Sequence, residues 1–446
     1  MENEQKNVAK EDAKKDVDNV AVNKKTVRKK ITTIIAFCLS IVLAFLGGYF
    51  SRYVFSSKEI KKTHDLVHII EKFCYVLDEN GNPRELTETD YAKALADGLP
   101  DQYLTYYTKE EYDKIANERK GNRTGFGVSI YNLESELPKI ISVVGNSPAE
   151  KKGVKVGDII NSATIEGQQT VNFANSKELN QFLFACPSDK KVTFNISRGL
   201  TNLTIEIQKA FYVASYVTYY DSERKMTLDT SGDNSPFVEY TDEKMNLPQD
   251  TALIRLSSFE GGVASQLRAT LSYMQEKGRT KLILDLRDNA GGYMSALCDV
   301  AEQLIFNGGK KTLIAHAKGK TSSEDFYMTS NKENSFITNI SVLANDGTAS
   351  ASECLIGAML HYGERFSIDN LVVEKNDDGV AKTFGKGIMQ TTYLLTDGSA
   401  IKLTTARIFW PNKTTCIHSK GILPTTQNAT ERGQSAIDRA ISILQD

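Results

Sequence analysis

Three short segments of this 446-residue chain bring together residue types that could do chemistry. The first, Thr348-Ala349-Ser350-Ala351-Ser352-Glu353, follows the apolar run Ser341-Val342-Leu343, so Ser350 falls where a buried strand gives way to a helix spanning Ala351 to Tyr362. A serine hydroxyl at such a turn is exposed to substrate, yet it is a poor nucleophile until a base takes its proton. The same residues fit a second reading: Ser350-x-x-Glu353 is a capping box that satisfies the free N–H groups of a helix start. The second segment, Arg287-Asp288-Asn289-Ala290-Gly291-Gly292, follows the strand Leu282-Ile283-Leu284-Asp285-Leu286, and α/β sheets tend to place their sites at C-terminal strand ends. The third, Thr383-Phe384-Gly385-Lys386-Gly387-Ile388-Met389-Gln390, sets one lysine between two glycines. Lysine acts as a base only as the neutral amine, so its pKa of about 10.4 must fall by burial toward about 7 to 8.

The elements that position these segments alternate strand and helix between Thr251 and Gln390. Strands are expected at Ala252 to Leu256, Lys281 to Leu286 and Ile340 to Ala344, with a helix over Ala264 to Lys277, which predicts a mixed α/β core. Upstream, Thr124 to Lys209 is built of short β-branched runs (Lys139 to Val144, Val192 to Ser197, Leu203 to Ile207) separated by Gly, Pro and Asn turns. Within it, Gly125-Phe126-Gly127-Val128 precedes a strand, and Ser147-Pro148-Ala149-Glu150 leads to Gly153-Val154-Lys155-Val156-Gly157-Asp158-Ile159-Ile160. Together they resemble a PDZ domain, over about 120–210. The resemblance implies that Gly125, Phe126, Gly127 and Val128 bind the carboxylate of a peptide C-terminus. Glycines let successive N–H groups converge on an anion, and the adjoining strand edge can pair with an extended peptide.

The whole set of motifs, DLRDNAGG, TASASE and FGKGIMQ in that order behind a PDZ domain, resembles the carboxyl-terminal processing peptidases, or tail-specific proteases, over about residues 58–432. Further likeness lies in Gly98 to Tyr112, Asp397 to Thr405 and Gly421-Ile422-Leu423-Pro424. The resemblance implies a ClpP/crotonase-like serine peptidase core over 211–446, with Ser350 as nucleophile, Lys386 as general base and Gln390 as the residue orienting the lysine. It also implies an oxyanion hole from the amides of Ala351 and Gly291, structural roles for Asp285 and Arg287, and no cofactor or metal. Ser352 is the poorer candidate for nucleophile. Gln390, if its segment is helical, lies one turn from Lys386 and accepts a hydrogen bond from the amine. Thr348, Ala290 and Thr425 depart from the family's pattern, and the 36 positions from Ser350 to Lys386 exceed its usual spacing. The surplus around Val373 to Val380 reads as a surface hairpin in preference to a lid.

With 40% apolar and 25% charged residues, the chain is neither disordered throughout nor collagen-like, and a formal charge of −2 gives no reason to expect nucleic acid as partner. Residues Ile31 to Phe50 carry no charge over a length that spans a bilayer, and Lys24, Lys25, Arg28, Lys29 and Lys30 crowd the N-terminal flank. A single transmembrane helix follows a disordered leader (1–30), with the N-terminus cytoplasmic and everything after about residue 55 outside. A helical region over 58–119 comes next, giving an α+β multidomain chain in all. Cys74, Cys186, Cys298, Cys354 and Cys416 read mostly as small buried hydrophobes, and His64 and His68 lack the glutamate of a zinc-binding HExxH. Expected partners are proteins or peptides with free C-termini and the membrane; a homo-oligomer is left open. The competing reading is a PDZ scaffold on an inactive peptidase fold. A Ser-His-Asp protease fits less well, because none of His64, His68, His316, His361 and His418 stands in a triad motif.

Overall fold

The computed structural model describes residues 58–445 other than 75, 78–81, 102, 131–136, 229–236, 241–243, 307, 309 and 329–334. The apolar run Ile31 to Phe50 lies outside the described residues, among which no helix is long and apolar enough to cross a membrane. The chain divides into two compact units at Tyr91. The first contains helix α1 (Lys58–Phe73) and the strand pair Val76–Leu77 with Pro83–Arg84. The apolar residues of α1 recur at helix spacing as expected, yet Leu66, Ile69 and Phe73 are exposed.

After helix α2 (Glu88–Asp97) come strand β1 (Thr105–Tyr107) and helix α3 (Lys109–Arg119). Helix α3 starts at a reciprocal cap, Thr108 N–H donating to Glu111 and Glu111 N–H to the Thr108 hydroxyl. The β-rich region then runs through β2 (Asn122–Gly125), β3 (Val128–Ile130), β4 (Ile140–Val143), α4 (Pro148–Lys151), β5 (Ile159–Ile165), β6 (Thr170–Asn172), α5 (Ser176–Ala185), β7 (Lys191–Arg198) and β8 (Thr201–Gln208). Its sheet has the order β8-β7-β5-β6. It owns a separate core, with Phe126, Ile140, Ile160, Leu179, Phe194 and Ile196 at its centre.

The second half continues with β9 (Ala210–Val213), β10 (Val217–Tyr220), β11 (Lys225–Leu228), β12 (Phe237–Tyr240), β13 (Thr251–Leu256), α6 (Val263–Glu276), β14 (Lys281–Asp285), α7 (Met294–Leu304), β15 (Thr312–Gly319), β16 (Ser323–Met328), β17 (Asn339–Ala344), α8 (Ala351–Tyr362), β18 (Leu371–Glu374), β19 (Ile388–Leu394), β20 (Ala400–Phe409), β21 (Ala429–Thr430) and α9 (Gln434–Gln445). Among the described residues an eight-stranded sheet runs β12-β11-β10-β13-β14-β17-β18-β21, parallel from β13 to β21. Its central strands are apolar without interruption because both faces are covered. Ile254, Leu284 and Val342 join the core that holds α6, α7 and α8, whereas their neighbours Leu253, Ile283 and Leu343 pack with Ala436, Ile437 and Ala440 of α9. The expected helix Ala351 to Tyr362 is there to the residue, and Gly363 ends it in the left-handed conformation that glycine tolerates.

A second, antiparallel sheet was not anticipated: β16-β15-β20-β19, with β1 joining β20 beyond the end of β15. The surplus before Lys386 is part strand and part turn. Leu371–Glu374 is a buried strand of the main sheet, and only Asn376 to Val380 turns outward, closed by Asn376 N–H to Val380 O at 3.0 Å. That is the expected hairpin turn.

The β-rich region is fastened to the main sheet by a buried ion pair. Glu150 of α4 sits 3.1 Å from Lys225 Nζ of β11 and also accepts from Asn146 N–H and the Thr227 hydroxyl.

Candidate active site

Two strand-to-loop turns leave the main sheet side by side, from β14 and from β17, and they are laced together. Asn345 Oδ1 accepts from Asp288 N–H and Gly347 N–H, while Asn345 Nδ2 donates to Asp288 Oδ1 at 2.8 Å. The Thr348 hydroxyl donates to Leu286 O and accepts from Asn345 N–H. Ala349 N–H donates to Asn289 O, and Asn289 Nδ2 to Leu256 O. Below this turn Arg287 is held by Asp285 and Glu374 at 2.7 Å each, a buried brace consistent with structural roles for Asp285 and Arg287.

Ser350 stands at the head of α8 with φ 58° and ψ −115°, a conformation that costs a side-chain-bearing residue of order 1–3 kcal/mol. Ser352, by contrast, is fully buried, and its hydroxyl donates to Asn289 O at 2.9 Å. Its hydroxyl is already engaged within the scaffold. Gly291 lies against the Ser350 turn: a Cβ built on it would come within 2.8 Å of Ala351 N and 2.9 Å of the Ser350 Cβ. Only glycine leaves that space open. The Gly291 N–H donates to Asn289 Oδ1 at 2.9 Å. Ala351, at the first helical position, has no intrahelical acceptor for its N–H. Among the described residues the N–H groups of Ala351 and Gly292 donate to no protein acceptor.

Glu353 joins this turn to the lysine loop. Its carboxylate, inaccessible to solvent, accepts from Ser350 N–H (2.9 Å) and Lys386 N–H (2.9 Å) at Oε2, and from Gly385 N–H (2.8 Å) and the Thr383 hydroxyl (2.5 Å) at Oε1. The amide nitrogens of Ser350 and Lys386 are therefore no farther apart than twice 2.9 Å. Burial raises the Glu353 pKa, and the four donors oppose that rise. Thr383 spends its proton on Glu353 and its lone pair on Ile422 N–H. Gly385, at φ 88°, passes so close to Lys420 and Gly421 that a Cβ would meet the Gly421 nitrogen at 2.8 Å.

Lys386 Nζ donates to Gln390 Oε1 at 3.0 Å and lies 5.0 Å from the centre of the Tyr103 ring. No hydrogen bond joins it to the Ser350 hydroxyl among the described residues. Burial, followed by the charge of Lys402, holds its pKa below the ordinary lysine value. Gln390 is not on a helix. It sits in β19, where a bulge between Met389 and Gln390 turns its side chain back to the lysine four residues earlier. Glu353 as a clamp, Thr383 and Tyr103 escaped the sequence reading. The i, i+3 spacing to Ser350 flagged Glu353 only as a cap.

In the β-rich region Phe126 is buried against Phe194, and Val128 begins β3. Among the described residues the N–H groups of Phe126 and Gly127 donate to no protein acceptor, and Phe126, Val128, Leu179 and Leu183 line a small apolar cavity in the core of this region. Of the described cysteines, all of them free, Cys186, Cys298 and Cys354 are buried; Cys74 is exposed and Cys416 half-buried.

Residues 250–427 match the peptidase family S41, and residues 124–208 match the PDZ domain. A Staphylococcus saprophyticus protein named "Probable CtpA-like serine protease" is 26% identical over 406 residues, spanning 88% of this chain and 71% of that protein. Its namesake from Staphylococcus epidermidis is 30% identical over 341 residues, spanning 76% of this chain and 60% of that protein. Among solved structures, a photosystem II D1 C-terminal processing protease is 20% identical with a TM-score of 0.44, covering 80% of this chain and 85% of that one.

Proposed function

We propose that this chain is a serine-type C-terminal processing protease of peptidase family S41 with a PDZ domain, in which Ser350 is the nucleophile, Lys386 the base and Gln390 the residue orienting that base. The observation that carries this reading is the Glu353 carboxylate, which holds the backbones of Ser350 and Lys386 on one oxygen. Neutral Lys386 takes the hydroxyl proton as Ser350 Oγ attacks the scissile carbonyl, and the resulting ammonium gives that proton to the departing amine. Water then repeats the cycle on the acyl-serine. The oxyanion is stabilised by Ala351 N–H and, since Gly291 N–H is committed to Asn289, by Gly292 N–H. Lys386 rests on Gln390 before substrate arrives, and such hydrogen bonds tighten toward the nucleophile in the Michaelis complex.

The PDZ domain selects free C-terminal tails in this reading, because the open N–H groups of Phe126 and Gly127 suit a terminal carboxylate and the adjoining strand edge an extended peptide. Gly125 and Val128 flank that loop. Ile31 to Phe50 anchors the chain in the cell membrane with the peptidase outside. The test compares one peptide, long enough to reach both sites, with a free and with an amidated C-terminus. The intact enzyme should cleave the free acid about 10- to 100-fold faster at low concentration, the value of one lost charge-assisted hydrogen bond. Ser350→Ala should cleave neither, and equal rates on both peptides would remove tail reading. Protease added to intact cells should digest the chain beyond Ser51 while a tag at Met1 survives; the reverse would remove the proposed orientation.

A further inference from the structure

Asp101 and Tyr103 to Tyr107 lie far from Ser350 and Lys386 in sequence, yet they are built into their surroundings. Asp101 Oδ2 accepts Thr404 N–H at 2.8 Å, and its Oδ1 accepts the Thr404 hydroxyl at 3.0 Å and Tyr103 N–H at 3.1 Å. Four to six residues after Asp101, β1 pairs with β20 through Thr105 and Lys402, Tyr106 and Ile401, Tyr107 and Ala400. Thr404 is the register partner of Gln390. This stretch thus runs antiparallel beside β20, whose Thr404 pairs on its other side with the orienting glutamine, and Tyr103 O accepts Gln390 Nε2–H at 3.2 Å.

We propose that Asp101 and Tyr103 are positioning residues for the lysine base: Asp101 locks the segment onto β20, and the Tyr103 carbonyl fixes which end of the Gln390 amide faces Lys386. This rests on the Ser350–Lys386 reading given above. A carbonyl can only accept, so it holds the NH2 end of Gln390 and leaves Oε1 for Lys386 Nζ. The polarity matters chemically. With Oε1 toward it, the neutral amine donates a hydrogen to Gln390 and keeps its lone pair for the serine proton. With the amide reversed, an N–H of Gln390 would donate to that lone pair and compete with Ser350. The Tyr103 ring covers the same amine and limits its access to water.

The test is peptide-cleavage kinetics on the full chain for Asp101→Ala and Asp101→Asn, each in the wild-type and the Gln390→Ala background. Asp101→Asn is nearly isosteric but turns an NH2 or a weaker acceptor toward Thr404 N–H, and it carries the test if Asp101→Ala unfolds below the assay temperature. Misplacement of a reacting group by about 1 Å costs about 100-fold, so kcat should fall about 10- to 100-fold with KM within about twofold. In the Gln390→Ala background the further loss should stay below about threefold, because the effect passes through Gln390. Unchanged kcat, or the full loss repeated without Gln390, overturns the proposal. Full-rate cleavage by Ser350→Ala or Lys386→Arg would overturn the dyad reading itself. If both are inactive and the Asp101 variants turn over at wild-type rates, only the positioning role falls.

Discussion

Replacing Glu353 with glutamine changes one oxygen to an NH2 group at a site where all four contacts come from donors. If the NH2 takes the Oε2 position, it confronts both Ser350 N–H and Lys386 N–H. If it takes the Oε1 position, Thr383 Oγ1 can accept from it but Gly385 N–H is left without a partner. The second arrangement is the milder one. An unsatisfied buried donor costs about 1–3 kcal/mol, and the remaining bonds lose their charge assistance, each falling from about 1.5–3 to about 0.5–1.5 kcal/mol. A total of about 3–6 kcal/mol follows for this isosteric change. If only 1.4 to 2.8 kcal/mol of it appears as misplacement of Ser350 against Lys386, kcat drops about 10- to 100-fold. Steady-state cleavage of a free-acid peptide reads kcat and KM, and thermal unfolding reads the remainder. A Glu353→Gln enzyme with kcat within twofold of wild type and an unchanged unfolding midpoint would refute the clamp.

Activity should rise with pH as Lys386 loses its proton, and Lys386→Arg should be inactive because guanidinium stays charged. Since the folded-state pKa of Lys386 is depressed, the unfolded chain holds its proton more tightly, and wild-type stability gains as pH climbs from the folded toward the unfolded value near 10.4. Lys386→Met should therefore be the more stable protein at pH 7, with the difference shrinking toward pH 10 in denaturant titrations; a difference that grows would contradict the sign. Ser350→Gly should be about 1 kcal/mol more stable than Ser350→Ala, because glycine relieves the positive φ, and both should be inactive. Lys225→Met strands the Glu150 carboxylate in the seam between the PDZ domain and the main sheet and should destabilise the chain by about 3–5 kcal/mol in the same titrations.

How much the sequence discloses depends on whether a residue's partner is near in the chain. Strands β13, β14 and β17 announce themselves as unbroken apolar runs because a parallel sheet is covered on both faces, and helix α8 carries both its start and its stop. The antiparallel sheet offers no such signal. Thr312–Gly319, Ser323–Met328 and Ala400–Phe409 mix charged and apolar residues at a partly exposed surface, and the three-residue strand Thr105–Tyr107 exists only because β20 receives it. The same limit governs the site. Ser350, Lys386 and Gln390 are legible through motifs, but Gln390 reaches the lysine through a bulged strand, which one-turn helical spacing imitates by coincidence. Gly291 is where the motif predicts, against the serine, yet the amide's direction depends on Asn289 Oδ1. Glu353 looks local because it also caps α8, and three of its four bonds to the site cannot be inferred from a capping pattern that accounts only for Ser350 N–H.

The central claim is that Ser350 is a nucleophile made reactive by Lys386, and the most direct measurement is labelling by a serine-directed phosphonate followed by mass mapping of the modified residue. The wild type should carry a single label on Ser350, at a rate that rises with pH, while Lys386→Arg stays unlabelled over the same period. A label on Ser352 or any other serine, or labelling of Lys386→Arg at the wild-type rate, would contradict it.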